Sequence, residues 1–506
     1  METARKRKHG VFLELIPPDQ LSAQQKALLQ PSDPQRKPLP LYRLLREPTY
    51  LQDIDWYQYR DFCIYRENGT TISLCHDRDF YPPTRRSLSF WLHEDGLYLS
   101  CIIVGTTDAA VAETATYFWS IPSRDTFPGR LHLRHKCPFE FRALEPEQLA
   151  QILDANPRRC LDISAYTFTV QQSMVLATRP HPVRLRVVHG GLAFEDDGTA
   201  FVDALEQRQA SYGELDIECN TDGMPFSRNN LRRLLQLDIL DRLILSPLAG
   251  ELALLPFSAK VKALDYSLDA SFVNVEDLRT LQIVTKDLNV KIYLDDDDEF
   301  AYDFPLAFLD RLAELGHLEK LEFVLDNCSH AARLDELEAL AEALARVIRN
   351  NPNLTCLNLS EQYMYFDWSP CLGDVFEAME EHEGLRKVIL KEYPKDEDPG
   401  YRWLEKLLMR NRNIVVLDSY RRKCTDGSRI NKLYALNALY NGSPKLVKES
   451  ASLRPPLVTE ALMENASENF VHTALLLSYH TDILNELLSC ASLDNVAGAW
   501  EIRDAL

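Results

Sequence analysis

A motif of the form Leu-x-x-Leu-x-Leu returns along the last two thirds of this chain, and it constrains the fold more than any other feature. The clearest copy is Leu354, Leu357 and Leu359 in the run Asn350-Asn-Pro-Asn-Leu-Thr-Cys-Leu-Asn-Leu-Ser360. Side chains alternate across a strand, so the motif marks a short β-strand with one buried face. A single such unit cannot bury that face; it must stack on its neighbours, which predicts a solenoid. With the second apolar position as register mark, the copies fall at Leu161, Leu185, Leu215, Leu243, Leu264, Leu281, Leu321, Leu357, Val388 and Leu417. Their separations are 24, 30, 28, 21, 17, 40, 36, 31 and 29 residues. The 17 and the 40 mark the loosest part of the register, and Val290-Lys-Ile-Tyr-Leu294 is a candidate extra strand inside the long interval.

Helical periodicity fills several of the intervals. Phe201, Val202 and Leu205 share one face of Thr199–Arg208, and Ser227 is placed to cap a helix carrying Leu231, Leu234 and Leu235. In Leu334–Arg349 the residues Leu337, Leu340, Leu344, Val347 and Ile348 recur at steps of three and four. Asn350-Asn-Pro352 then stops that helix. Similar helices precede Val388 and Leu417, at Gly373–His382 and Tyr401–Arg410. Strand, helix and strand in alternation predict an α/β chain with parallel strands and helices outside. An ordinary leucine-rich α/β domain is the alternative.

The arrangement helix-Asn-Pro-Asn-Leu-x-x-Leu-x-Leu at 334–359 resembles the ribonuclease-inhibitor-like class of leucine-rich-repeat proteins, and the resemblance extends over about 156–427. The whole chain is similar to a large group of such proteins in diatom algae. The matching phrases are Cys137-Pro-Phe-Glu-Phe-Arg-Ala-Leu-Glu-Pro-Glu-Gln-Leu-Ala-Gln-Ile-Leu153 and Ile430-Asn-Lys-Leu-Tyr-Ala-Leu-Asn-Ala-Leu-Tyr440. The resemblance implies a horseshoe architecture and binding, with no assigned activity. It also implies an asparagine three places after the third apolar position of each strand. Asn220 fits, whereas Gln362, Asp326, Tyr393 and Leu248 stand at the equivalent places.

The ends differ from the middle. Residues 1–36 are rich in Pro, Gln and basic residues, with one apolar run at Val11–Ile16, and read as a flexible tail. Aromatic, alternating runs then suggest a small β-rich domain over 37–142: Phe62–Tyr65, Ser89–Leu92, Leu97–Val104 and Tyr117–Ser120, with turn signals at Asn68-Gly69 and Asp95-Gly96. The solenoid is placed at 143–427. A helical cap over 428–506 follows, with short helices at Ile430–Tyr440, Leu457–Glu464, Phe470–Ser478 and Ile483–Leu488.

Composition narrows the function. The 56 basic and 76 acidic residues give a net charge of −20, which disfavours nucleic acid and anionic membrane as partners. No apolar run reaches the ~18 residues of a membrane span, and the N-terminus lacks a secretory signal. The expectation is an intracellular, cytoplasmic protein, with Arg5-Lys-Arg-Lys8 as a candidate nuclear import signal. The eleven cysteines lack CxxC spacing and read as buried thiols. His132-x-x-His135-x-Cys137 is the nearest approach to a metal cluster, but strand alternation sends its two histidines to opposite faces. Asp295–Glu299 reads as a solvated acidic loop, and Asp196-Asp197-Gly198 as a turn. No phosphate loop, nucleophile elbow or zinc-protease helix is present. No enzyme activity, cofactor or metal is expected.

The remaining expectation is a scaffold that binds a protein partner through polar residues beside the apolar strand positions. These are Arg184, Arg186, Glu214, Asp216, Glu218, Arg242, Asp265, Lys320, Glu322, Asn358, Lys387, Lys391 and Asp418, a face of mixed sign. A ubiquitin-ligase substrate receptor and a small-GTPase regulator are the alternatives. Partner identity and oligomeric state are not encoded legibly.

Overall fold

A computed structural model describes residues 12–434 apart from 30–37, 55, 57–60, 76–85, 95–96, 125–128, 134–137, 165, 189–193, 219–223, 295–301, 328–332 and 361–365, together with a few positions beyond 434. The chain forms two compact units. One takes residues up to Asn274 with Thr280–Lys291, the other Val275–Arg279 and residues from Ile292 onward.

The first unit begins with antiparallel pairing and changes to parallel. Strands β1 (Leu13–Leu15), β2 (Leu41–Leu44), β3 (Phe62–Arg66), β4 (Thr70–Cys75), β5 (Ser87–Glu94) and β6 (Leu97–Val104) precede β7 (Arg130–Leu133), β8 (Cys160–Ser164), β9 (Val183–Val188), β10 (Gly213–Glu218), β11 (Leu240–Leu245) and β12 (Ala263–Asp269). The sheet order is β1-β2-β3-β4-β6-β5-β7-β8-β9-β10-β11-β12, parallel from β7 to β12. Helices α1 (Ala23–Leu28), α2 (Asp108–Trp119), α3 (Pro146–Ala155), α4 (Val170–Thr178), α5 (Thr199–Glu206) and α6 (Arg228–Leu235) complete it, and α2 to α6 pack each on the next.

The register marks of the repeat pair with one another along this sheet. Leu161 lies opposite Leu185, Leu185 opposite Leu215, Leu215 opposite Leu243, and Leu243 opposite Leu264. All are buried. The series starts one strand earlier than the motif search indicates, because Leu131 of β7 pairs with Leu161. A run of rings follows the same repeat. Phe141, Phe168, Phe194 and Phe226 are buried in succession, with centroids 5.4, 5.7 and 4.9 Å apart. Such aromatic pairs are worth about 1 kcal/mol each beyond the area they bury.

The unit boundary falls within β13 (Asp287–Leu294), the extra strand expected around Val290–Leu294. Leu281, taken as a register mark, lies outside any strand; Leu288, second residue of β13, occupies the strand position instead. That substitution removes both the 17-residue and the 40-residue anomaly.

The second unit contains α7 (Val275–Leu278), α8 (Asp303–Leu315), β14 (Lys320–Asn327), α9 (Leu334–Asn350), β15 (Cys356–Leu359), α10 (Leu372–Met379), β16 (Lys387–Leu390), α11 (Arg402–Arg410) and β17 (Val415–Leu417). Strands β14 to β17 are parallel, with Leu321, Leu357, Val388 and Val416 in register. The mark at Leu417 is thus one residue late, since Val416 is the buried partner of Val388. Helices α7 to α11 again pack in sequence, and the expected apolar face of α9 is buried from Leu337 to Ile348.

Asparagines tie these repeats together at the helix ends. Asn351 is fully buried; its Nδ2 donates to the Leu312 and Val347 carbonyls at 3.2 and 2.8 Å, and its Oδ1 accepts from the Leu318 N–H at 2.9 Å. Asn411 repeats the pattern two helices later, at the end of α11, donating to the Met379 and His382 carbonyls at 2.9 and 2.7 Å. Asn437 donates to the Leu408 carbonyl at 2.8 Å. The side chains thereby satisfy carbonyls that a helix leaves open at its C-terminus. Asn351 and Asn411 thus precede β15 and β17, and His382 holds the equivalent place before β16, where its Nδ1 accepts from the Leu385 N–H at 2.9 Å. Of the places expected after each strand, Asn220 and Gln362 lie outside the described residues, and Asp326 is buried in β14.

Two readings at the N-terminal end change. Tyr117–Trp119 end α2 rather than forming a strand, because Thr107 caps the helix at Ala110 N and an alanine-rich run carries it to the aromatic residues. Within 1–36, residues 12–29 include β1 and a capped α1, with Leu13 and Leu28 buried. Downstream, residues 429–434 are helical, as expected at Ile430, while Leu457–Glu464, most of Phe470–Ser478 and Ile483–Leu488 lie outside the described residues.

Candidate interaction face

Strands β7 and β9 to β12 bury one face more deeply than the other, β8 is buried on both, and the residues between the apolar positions share the opposite face. Strand pairing sorts these into rows. One row reads Arg130, Cys160, Arg184, Glu214, Arg242, Ala263, and the next reads His132, Asp162, Arg186, Asp216, Ile244, Asp265. Seven expected residues of the first unit (Arg184, Arg186, Glu214, Asp216, Glu218, Arg242 and Asp265) thus lie on one face.

The rows are cross-linked by charge. Arg186 is the centre: its Nη2 donates to Glu218 Oε2 at 2.6 Å, its Nε lies 3.2 Å from Asp216 Oδ2, and its Nη1 lies 3.9 Å from Asp162 Oδ2. Arg184 reaches Glu214 at 3.5 Å, and Arg242 pairs with Asp265 through Nε at 3.2 Å and through Nη2. Asp162 also takes His132 Nδ1 at 3.0 Å and Arg130 at 3.9 Å. His132 in turn stacks on Trp91, centroids 4.9 Å apart.

Burial sets the electrostatics. It pushes the Asp216 carboxyl up to about 6, with Arg186 opposing and Glu218, Asp162 and Glu214 adding. Asp265 is raised by burial too, against its bond to Arg242. Burial works against the charge of Arg186, yet its bond to Glu218 and the charges of Asp216 and Asp162 hold it above the ordinary guanidinium value. Asp162 is the deepest group, and its Oδ1 is buried without a hydrogen-bond partner among the described residues.

The expected residues of the second unit differ in how far they are presented. Lys320 and Lys387 are exposed and Glu322 is half-buried. Asn358 is buried rather than presented, and its side-chain oxygen accepts from the Ser360 N–H at 3.1 Å. Its row continues into the apolar Ile389 and Leu417. Lys391 is exposed, and Asp418 is held by the Arg422 N–H and Nε, both at 2.8 Å.

Arg130, His132 and Asp162 are missing from the expected set. The signal was available in Leu131-x-Leu133, whose spacing of 30 residues to Leu161 fits the repeat. His132 bonds Asp162, while His135 and Cys137 lie outside the described residues. Burial pushes the thiols of Cys160 up to about 11 and of Cys63 and Cys424 up to about 12, so these are neutral packing groups. The acidic loop Asp295–Glu299 is likewise outside the described residues, whereas Asp197 and Gly198 have the positive φ of a turn.

No protein-family model and no curated protein matches this chain. Among the described residues no helix is long and apolar enough to cross a membrane.

Proposed function

We propose that this chain is a non-enzymatic leucine-rich-repeat scaffold that binds a protein partner through the β7–β12 face. The observation that carries the reading is the pair of charged rows. Arg184, Glu214 and Arg242, and beside them Asp162, Arg186 and Asp216, occupy successive paired positions on parallel strands. Strands held on both sides keep polar heads in fixed positions, which lowers the ordering cost of association. Mutual ion pairing restrains the side chains further.

The test is site-directed photo-crosslinking of the full-length chain in its native cells. A photoreactive residue at Arg242 traps the partner, and one at Glu206, exposed on α5, does not. Equal trapping from both sites, or from neither, overturns the reading.

A further inference from the structure

The charged face is mixed in sequence but layered in depth. The side chains of Arg130, Arg242, Arg184 and Arg186 are 50, 47, 34 and 29 % exposed. Their carboxylate partners lie lower: Asp162 is 3 % exposed, Asp265 17 %, Asp216 18 % and Glu214 25 %. Only Glu218, at the end of β10, stands as high, at 43 %. The cause is elementary. An aspartate head sits one carbon from the backbone carbon, whereas a guanidinium ends a three-carbon stem and reaches past it.

Donors are also left over. A guanidinium carries five N–H groups. Among the described residues, Arg242 commits Nε and Nη2 to Asp265, Arg184 reaches Glu214 through Nη2 alone, and Arg130 has only its 3.9 Å ion pair. We infer that the β7–β12 face recognises an acidic peptide segment, each carboxylate of which accepts from an upstanding arginine. This rests on the binding-face reading above and names the chemistry of its partner.

Arginine suits the task because its fork matches a carboxylate two bonds at a time. A phosphate offers similar acceptors, but a continuous phosphate backbone would lie across Glu214, Asp216 and Glu218 and meet a chain of net charge −20. A peptide can place separate carboxylates over the arginines and uncharged residues between them. The overall acidity of the chain suggests a basic partner; the layering of this face points the other way.

The experiment is selection from a displayed library of random twelve-residue peptides on the full-length chain, followed by fluorescence anisotropy of the enriched peptides. Enriched sequences are expected to be rich in Asp and Glu, and to bind Arg184→Gln/Arg242→Gln roughly tenfold or more weakly. Arg130→Gln serves as a second variant, since the Arg130 side chain makes no hydrogen bond among the described residues whose loss would unsettle the fold; thermal melts confirm that all variants are folded. Enrichment of Lys- and Arg-rich peptides that depend on Glu214 and Glu218 overturns this inference and leaves the binding face standing. Peptides indifferent to every one of these substitutions overturn both. A homopolymeric RNA that binds more tightly than the acidic peptides replaces the inference with nucleic-acid recognition.

Discussion

Asp216 shows how a single residue can carry both a function and a cost. Its carboxyl titrates near 6 in the folded chain against an ordinary 3.8, chiefly because burial disfavours the charge. A raised carboxyl pKa means that the folded state binds the proton more tightly than the unfolded state. Its contribution to stability is therefore greatest below about pH 4 and falls as pH rises through about 6. At about 1.4 kcal/mol per pKa unit the loss is on the order of 2–3 kcal/mol. Asp216→Asn removes the titration while keeping the shape. Urea denaturation at a series of pH values is expected to show a shallower decline for the variant between pH 4 and 7. Asp265, also raised, leaves some slope behind. A variant with an unchanged slope would place the titration at another group. An aspartate is kept at this position, on the binding reading, because it orients Arg186.

Among the elements, the repeat strands were legible and the caps less so. Leu161, Leu185, Leu215, Leu243 and Leu264 sit in one register because an apolar residue beside a polar one has only one satisfactory face. The failures have local causes. Leu281 imitated a strand position on composition alone, and Tyr117–Trp119 carried strand-like aromatics into a helix whose start was set ten residues earlier by Thr107. The phenylalanine run was hidden because its members lie between strands, where the motif gives no guidance. Glycine marks one further constraint on strand pairing. Gly213 opens β10 with φ +105°, at the register shift toward β11, and a Cβ there would lie 2.4 Å from the Val183 carbonyl oxygen. Gly250 has φ +59° with open space around it. Gly213→Ala is expected to cost more than about 2 kcal/mol through strain and displacement of β9, against roughly 1 kcal/mol for Gly250→Ala. Chemical denaturation of the two variants measures the difference; equal costs would mean that the strand opening yields freely.

At the scale of the whole molecule, sequence patterning placed the expected polar residues of β9 to β12 on one face while missing Arg130, His132 and Asp162, and it did not tell how high each stands above that face. Alternation assigns Arg186 and Asp216 to the same side; the depth difference needs stem length, neighbouring heads and burial together. That difference sets local and global charge against each other, since the chain carries −20 while the β7–β12 face presents arginines. An acidic peptide is then repelled at long range and held at short range. Salt screens the first effect beyond a Debye length of about 10 Å at 0.1 M and weakens the second as well. Stopped-flow binding of an enriched acidic peptide is expected to show both rates rising between about 20 and 200 mM salt. The association rate rises because repulsion is screened, and the dissociation rate rises because the arginine contacts weaken. A steeply falling association rate would instead reveal net attraction during encounter. That outcome would mean that the field of this face, and not the charge of the whole chain, governs the approach.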